Sequence, residues 1–326
     1  MGDTAFGGRS MGDAFEILLQ MAKSPSCRVV LTVSGAMTVA KQGQIICDMI
    51  DRGLVHAVVA TGALVAHGLT EAIGLVHYRH DASKSDEDLY ARGYNRVYDT
   101  LEMEANLNEM EVFVSSVLNN ETPAHGTWWS AELCRAIGKR LSREAAGPGI
   151  LRSAYEQNVP VFIPAFTDSE LGLDVANWAM VSQQRKLRRE GKPVDPAELF
   201  HCTPAFNPFL DLQEYARFVG QAEELGIFTV GGGVPRNWAQ QVGPYYDVAA
   251  TRLGVELPTR RFKYAVRICP EPVHWGGLSG CTYSEGVAWG KFVPESRGGR
   301  FAEVYADATL VWPLLIRALF EQLDAR

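Results

Sequence analysis

The sequence predicts an α/β protein with a doubly wound, mostly parallel sheet and helices on both faces. The main observation is a recurring pattern in which short β-branched runs end in small or polar residues and are followed by helical periodicity. Strands that alternate with helices form parallel sheets covered on both faces. The composition agrees, because 47% hydrophobic and 21% charged residues are ordinary for a globular protein. We expect one domain over residues 1–326, with a surface insertion near 183–204.

The predicted strands follow one another along the whole chain. The run "RVVLTV" precedes an amphipathic stretch at 39–50, and "HAVVA" precedes a helical pattern at 69–75. Further strands are expected in "PVFIPAF", "IFTV", "KYAVRIC" and "AEVYA", and a closing helix follows the last of these. In such a sheet a ligand lies beyond the carboxyl ends of the strands, where helix N-termini meet anions.

Small and polar residues at the predicted strand ends are the candidates for ligand binding. For any one of these loops a tight strand-to-helix turn is the preferred explanation, but their repetition favours a nucleotide-sized ligand. The glycine run at 231–233 would let a backbone approach a cofactor closely, and close packing of a strand on a helix explains it equally well. The candidate residues are Ser34, Gly35, Ala36, Thr61, Gly62, Asp168, Gly232, Asp307 and Ala308.

Charge and motifs argue against several other classes of protein. A net charge of −7 disfavours a nucleic-acid partner, and the basic segment at 185–189 is typical of a solvated helical face. Six cysteines without a C-x-x-C pair indicate buried thiols in a reducing compartment. We predict no metal site, although His77 and His80 could bind a metal from a helix. With no secretory signal and no apolar run near the roughly 18 residues of a membrane helix, we expect a cytoplasmic protein without membrane contact.

One lysine follows the apolar residues of "SEGVAWGK", and it is the candidate nucleophile. If this stretch is helical, Glu285 and Trp289 are neighbours on one face, and Gly290 ends the helix in a left-handed turn that brings Lys291 beside Trp289. Apolar surroundings lower the pKa of a lysine, and the neutral amine is the form that makes a Schiff base. The other interpretation is an exposed lysine that caps the helix C-terminus. The residues alone therefore indicate a nucleotide-binding protein with a candidate reactive lysine.

Four stretches occur in a characteristic order and spacing: "PVFIPAFTDSELG", "GGGV", "LSGCTYSEGVAWGK" and "VYADATLVWPLL". Together they resemble the deoxyhypusine synthase family, and "GGGVPRNW" and "HWGGLSGCT" are most similar to its bacterial deoxyhypusine synthase-like branch. The resemblance implies a Rossmann-like, NAD-binding domain and a homotetramer with active sites at subunit interfaces. It also implies that the candidate residues at the strand ends contact NAD.

By the same resemblance the chain is an NAD-dependent transferase of a 4-aminobutyl group. Lys291 corresponds to the lysine that takes this group from a polyamine such as spermidine as an imine, with Val287, Ala288 and Trp289 keeping its amine neutral. Glu285 corresponds to a polyamine-binding acid, and Asn237 replaces a histidine that transfers protons. We expect the acceptor to be a small amine, with a homospermidine-type product, or a protein lysine.

Apolar residues stand at several positions where the family has carboxylates. A cationic substrate in a dry pocket needs carboxylates, so these replacements favour an alternative substrate. The alternatives are an NAD- and lysine-dependent enzyme acting on a less cationic amine or carbonyl compound, and a non-catalytic NAD-binding homologue. The replaced positions are Val65, Ala66, Leu173 and Leu278, and the candidate substitutes are Glu170, Asp174, Glu271 and His274.

Overall fold

The computed structural model describes residues 3–144 and 147–325. In these ranges the strands are β1 (Cys27–Val33), β2 (Ala57–Ala60), β3 (Tyr78–Arg79), β4 (Tyr94–Val97), β5 (Thr100–Met103), β6 (Val161–Phe162), β7 (Glu224–Val230), β8 (Tyr264–Ile268) and β9 (Arg300–Val304). The α-helices are α1 (Gly7–Lys23), α2 (Gly43–Asp51), α3 (Gly62–Ala72), α4 (Asp86–Ala91), α5 (Glu104–Asn120), α6 (Ser130–Leu141), α7 (Ile150–Glu156), α8 (Glu170–Arg189), α9 (Pro196–Leu199), α10 (Pro208–Gly220), α11 (Gly233–Gln240), α12 (Val242–Leu253), α13 (Tyr283–Ala288) and α14 (Ala308–Asp324).

The central sheet has six parallel strands in the order β6-β2-β1-β7-β8-β9. Counted along the chain within this sheet, the order is 3-2-1-4-5-6, which is that of the dinucleotide-binding Rossmann sheet. The order reverses between β1 and β7, where Val33 pairs with Val230. A crevice for a ligand therefore opens beyond this pair.

Helices cover both faces of the sheet, because alternate strand residues enter two different cores. On β1, Val29 and Leu31 belong to one core with Trp312 of α14, whereas Val30 belongs to the other core with Tyr215 of α10. Since both faces are buried, the strands read as continuous apolar runs. The predicted doubly wound α/β fold is confirmed.

A second sheet of three antiparallel strands, in the order β3-β5-β4, lies between α3 and α5 in the chain. The sequence analysis did not predict it, because its strands are short and largely exposed. His77 and His80 flank β3, so the helical placement considered for this pair is wrong.

Element boundaries also differ in places from those expected. Helix α2 begins at Gly43 rather than near residue 39, after a turn in which Lys41 has a φ of 61°. Helix α3 begins at Gly62, immediately after β2, and not near residue 69. The segment 183–204 contains the end of α8, a turn at Gly191 and the short helix α9. None of the helices in the described ranges combines the length and apolar character needed to cross a bilayer.

Candidate active site

Lys291 lies shortly after α13, beyond Trp289 and the Gly290 turn, as the sequence predicted. The Thr282 side chain caps the start of this helix by accepting a hydrogen bond from the Glu285 N–H at 3.2 Å. Gly290 has a φ of 70° and its N–H donates to the Val287 carbonyl, which ends the helix in a left-handed turn. The helix and the glycine turn expected in this stretch are therefore present.

The Lys291 amine is buried, because the side chain turns into the protein after Gly290. The residue is 6% exposed, and Nζ donates a hydrogen bond to Asn237 Oδ1 at 2.9 Å. Burial lowers the pKa of Lys291, and the Arg236 guanidinium acts in the same direction, whereas Cys281 and Glu285 oppose it. The interpretation of Lys291 as an exposed capping residue is wrong.

The Lys291 side chain lines a cavity of about 280 Å³. Two amide side chains, Asn237 and Gln241, lie in its wall, and among the described residues that line it Glu285 is the one carboxylate. Trp289 also lines the cavity and is 66% exposed, so its ring stands at the mouth. The remaining lining residues are Val273, Gly276, Gly277, Leu278, Cys281 and Lys291 itself.

The wall that buries Lys291 was only partly foreseen. Of the three apolar residues expected around the amine, Trp289 lines the cavity, whereas Val287 packs against the second core and Ala288 is not part of the lining. The segment 276–281 provides a further part of the wall through Gly276, Gly277, Leu278 and Cys281. Leu278 lies there, so an apolar side chain lines the cavity at a position where the family resemblance predicts an acid.

Two buried arginines hold this wall in place. Arg236 on α11 donates to the carbonyls of Cys281, at 2.6 Å, and Ser279, at 3.4 Å, and Arg267 on β8 donates to the same two carbonyls. Arg267 also donates to Glu303 at 2.5 Å. Charge-assisted bonds of this kind make the wall rigid. Neither arginine was among the residues predicted for the site, although an arginine in the middle of the apolar run "KYAVRIC" was an available signal.

The strand ends of β1, β2 and β7 converge on a single crevice. The Ser34 hydroxyl accepts a hydrogen bond from the Gly232 N–H at 2.7 Å and also donates to the Gly232 carbonyl. The Thr61 hydroxyl donates to the Gly35 carbonyl at 2.7 Å. These candidate residues therefore lie together at the point where the strand order reverses, with Ala36 and Gly62 adjoining them in the chain.

The glycines of the crevice allow close packing within the chain. A Cβ on Gly232 would lie 2.6 Å from Ser279, and one on Gly62 would lie 2.2 Å from the Ser169 hydroxyl. Gly231 has a φ of 82°, which a side chain would disfavour. Close packing therefore explains the glycine run, and it brings the cavity wall at Ser279 against the crevice.

Asp168 and Asp307 lie at opposite ends of the carboxyl edge of the sheet. Asp168 follows β6, and Asp307 follows β9 and caps α14 by accepting a hydrogen bond from the Thr309 N–H at 2.7 Å. The bonds from Thr309 lower the pKa of Asp307, so this exposed side chain is a carboxylate, and Ala308 follows it as the first residue of α14. Five strand spacings of about 4.8 Å separate the two strands by about 24 Å.

The four residues considered as substitutes for the missing carboxylates are divided between two places. Glu271 adjoins the cavity, because a side chain at Gly277 would overlap its carboxylate, and His274 lies on the short 3-10 turn that carries Val273. Glu170 and Asp174 lie on α8 and are not among the residues of the cavity wall. Burial raises the pKa of Asp174 to about 7. Val65 and Ala66 are core residues of α3, and Leu173 is exposed.

Comparison with known proteins agrees with the fold and with the sequence resemblance. The family model for deoxyhypusine synthase matches residues 1–319. The "Probable deoxyhypusine synthase 2" of Methanosarcina acetivorans is 32% identical over 320 residues, which are 98% of this chain and 84% of the relative. The "Deoxyhypusine synthase-like protein" of Chlorobaculum parvum is 31% identical over 319 residues, 97% of this chain and 83% of the relative.

Among solved structures, the "Crystal Structure of a putative deoxyhypusine synthase from Entamoeba histolytica" has a TM-score of 0.58 at 14% identity, covering 98% of this chain and 90% of that chain. At this identity the likeness concerns the fold, and it agrees with the Rossmann-like sheet described above. The sequence relatives and the family model extend over nearly the whole chain. The chain belongs to the deoxyhypusine synthase family, a family of transferases.

Proposed function

We propose that the protein is an NAD-dependent 4-aminobutyl transferase that carries the transferred group on Lys291 as an imine. The observation that carries the proposal is the buried Lys291 amine, hydrogen-bonded to Asn237 within a cavity that adjoins the switch point of the sheet. A lysine whose pKa is lowered by burial holds more of its amine in the nucleophilic, neutral form.

Helix α11 connects the crevice to the lysine cavity. The helix begins at Gly233, next to the crevice, and Asn237 lies five residues beyond Gly232. At 1.5 Å per residue this separation is about 7.5 Å along the helix. A ligand at the crevice would therefore lie within one small molecule's length of the Lys291 amine.

The residues of the crevice fit a dinucleotide. Asp307 offers an exposed carboxylate for ribose hydroxyls, and the Ser34 hydroxyl and the backbone of Gly231 and Gly232 lie together at the switch point. Ser34, Gly35, Ala36, Thr61, Gly62, Gly232, Asp307 and Ala308 would hold NAD in this arrangement. When bound, NAD supplies the hydride acceptor that oxidises an amine and the hydride donor that reduces the product.

The chain's own residues account for the transfer itself. The Lys291 amine attacks the imine carbon of the oxidised donor with its lone pair, and the donor's other amine leaves with a proton. Asn237 accepts a hydrogen bond from Nζ and orients the lone pair, while the Glu285 carboxylate pairs with the free ammonium of the carried group. An acceptor amine then displaces Lys291 by the reverse of the same attack.

The polarity of the cavity favours a donor and acceptor with few charges. One carboxylate, Glu285, lines the cavity, and Leu278, Val273 and Trp289 offer apolar contact to a hydrocarbon chain. A small amine acceptor, giving a homospermidine-type product, matches this wall. The specific alternative is a less cationic amine or carbonyl substrate, and the observation that favours it is Leu278 at an expected acid position.

The separation between Asp168 and Asp307 supports a shared site. Both are expected to contact NAD, but in one subunit about 24 Å lies between their strands. A homotetramer with sites at subunit interfaces would bring Asp168 of one subunit to the dinucleotide of another. The exposed Trp275 and Leu278 near the cavity supply apolar surface for such an interface. The tetramer and a cytoplasmic location stay predictions.

The test is to trap the imine on the protein. The whole protein is incubated with NAD and a panel of mono-, di- and triamines, reduced with borohydride, and measured by intact mass and peptide mapping. The proposal expects a 4-aminobutyl adduct on Lys291 that needs NAD and is lost in Lys291→Ala. Lys186→Ala, which removes a lysine from the exposed end of α8, is the matched control and keeps the adduct.

Each result separates the candidates. An adduct from spermidine or putrescine supports aminobutyl transfer and identifies the donor. An adduct from a monoamine alone supports the less cationic substrate. An adduct that survives Lys291→Ala, or no adduct with any amine while NAD binds, refutes the lysine imine.

A further inference from the structure

We propose that His67, His77 and Glu102 form a binding site for a divalent transition-metal ion, with zinc as the expected occupant. The site lies between α3 and the antiparallel sheet, and its residues are not in the lysine cavity wall. The sequence analysis predicted no metal site, and it considered His77 only together with His80. The proposal is independent of the proposed function.

One nitrogen from each histidine and one carboxylate oxygen lie within 4.8 Å of one another. Glu102 Oε2 is 2.5 Å from His67 Nδ1 and 3.6 Å from His77 Nε2. Zinc bonds of about 2.0–2.2 Å place donor atoms up to about 4 Å apart. Small rotations of the side chains would therefore bring all three donors to one ion.

His67 Nδ1 and Glu102 Oε2 share a short hydrogen bond, which an ion between them would replace, and the other contacts of Glu102 and His77 orient their donor atoms towards the same place. The Thr70 hydroxyl donates to Glu102 Oε1 at 2.8 Å, which leaves Oε2 directed at the histidines. His77 Nδ1 lies 3.2 Å from Glu71 Oε1, so a proton on Nδ1 leaves the Nε2 lone pair for the ion. Metal-binding histidines commonly donate their other ring N–H to a carboxylate in this way.

The ring nitrogen Nε2 of His77, which makes no hydrogen bond within the described part of the chain, lies within this group of three side chains. His77 Nε2 is buried and has no hydrogen-bond partner among the residues that the structure describes. The side chains of His67, His77 and Glu102 are 11%, 1% and 2% exposed, so these groups are largely removed from bulk solvent. A buried nitrogen without a partner is costly, and coordination would remove that cost.

The set of donors matches a known zinc chemistry. Two imidazole nitrogens and one glutamate oxygen are the protein ligands of zinc sites that keep a fourth position open. Two neutral histidines and one carboxylate leave the bound ion with a net charge of about +1. The outer ion pair between Lys41 and Glu71 adds no net charge, and its partly exposed side chains form the side from which an ion can enter.

The three ligands come from separate parts of the chain. His67 lies on α3, which begins in the crevice, His77 precedes β3, and Glu102 lies on β5. An ion there would fasten the antiparallel sheet to α3. Because the ion would connect these separate segments, metal binding should raise the thermal unfolding temperature.

The test uses the whole protein, stripped with a chelator and dialysed against zinc alone. Metal content is measured by elemental analysis, and cobalt substitution reports coordination through its visible absorption. The change His77→Ala is expected to abolish stoichiometric binding. Glu71→Gln, at a partly exposed position outside the ligand set, is expected to weaken binding about 10–100-fold.

The matched control is His80→Ala, which removes the neighbouring histidine and leaves the three ligands in place. The proposal requires one ion per chain in the wild type and in His80→Ala, with loss in His77→Ala. Equal binding by wild type and His77→Ala overturns it, as does equal loss in both histidine variants. If His77→Ala fails to fold, the cobalt spectrum of the wild type and the affinity of Glu71→Gln decide. A wild type without the cobalt spectrum, or an unchanged affinity, overturns the proposal.

Discussion

Replacing Asn237 with aspartate should shift the reactivity of Lys291 to higher pH. In the wild type the Asn237 amide oxygen accepts a hydrogen bond from Nζ at 2.9 Å, and burial lowers the pKa of the lysine. The Asn237→Asp carboxylate would occupy nearly the same volume and favour the charged ammonium. The pKa of Lys291 should therefore rise.

The distance sets the size of the effect. Opposite unit charges about 3 Å apart attract by about 6 kcal/mol at an effective dielectric constant of about 20, which corresponds to about 4 pKa units as an upper bound. Nearby opposite charges shift a pKa by roughly 1–3 units in practice. At a pH below both pKa values, the neutral fraction of Lys291 should therefore fall about 10–1000-fold.

The assay needs no substrate. The rate at which an amine-reactive reagent labels Lys291 is followed by peptide mass, up to the ordinary lysine pKa of about 10.4. The labelling of Lys291 in Asn237→Asp should be slow at neutral pH. It should approach the wild-type rate at high pH, where the Lys291 amine becomes neutral in the variant as well. Gln241→Glu is the matched control, because it adds the same charge at another place in the cavity wall.

Two results would refute this reasoning. An unchanged pH profile would mean that Asn237 does not contact the reacting amine. The same shift in Gln241→Glu would mean that the total charge of the cavity, and not the hydrogen bond to Nζ, sets the pKa.

Three further changes test the framework of the site. Asp211→Ala should lower the free energy of unfolding by about 2–4 kcal/mol in guanidinium titrations, because the buried carboxylate accepts hydrogen bonds from the first two N–H groups of α6. Gly232→Ala should cost about 1–3 kcal/mol in the same titration and displace the cavity wall, because its Cβ would lie 2.6 Å from Ser279. Gly290→Ala should cost about 1–2 kcal/mol through its φ of 70°, and should also slow the labelling of Lys291.

Matched controls separate local strain from general damage. Asp51→Ala removes an exposed carboxylate and should leave unfolding unchanged, and Gly7→Ala, with no atom within 4 Å of its Cβ, should do the same. Gly254→Ala has a similar φ of 64° at the end of α12 but no link to the lysine. It should show the cost of the φ angle alone and keep normal labelling, whereas the methyl of Gly290→Ala would also lie 3.1 Å from the Arg261 guanidinium. If the labelling of Lys291 slows equally in both, the turn at Gly290 does not position the amine.

Local features of the site could be predicted from the sequence. The helix of α13 and the turn at Gly290 depend on a few neighbouring residues, so spacing and glycine conformation were sufficient to predict them. The buried position of Lys291 was one of two interpretations that spacing left open, because most of the cavity wall comes from distant segments. The six strands of the central sheet were equally readable, because strands buried on both faces form long apolar runs. Their order in the sheet came from the structure.

Features that join distant parts of the chain could not be predicted. Arg236 and Arg267 donate hydrogen bonds to the Ser279 carbonyl, from which they are 43 and 12 residues away in the sequence. No local sequence pattern predicts contacts of this kind. The pairing of His67 with Glu102 spans 35 residues and depends on an antiparallel sheet whose strands have two to four residues. Strands this short lack the alternation that would reveal them.

The backbone around Lys291 has a consequence for the kinetics of the proposed reaction. The Lys291 N–H donates to the Gly286 carbonyl, and its carbonyl accepts from the Phe262 N–H, both at 3.0 Å. These two hydrogen bonds hold the backbone of Lys291 in place. A group carried on Nζ can therefore move only as far as rotation of the lysine side chain allows. Donor and acceptor must therefore bind in the lysine cavity one after the other. The amine released from the donor departs before the acceptor amine enters. Steady-state rates should follow a ping-pong pattern, with parallel lines in double-reciprocal plots, and the departing amine should compete with the acceptor.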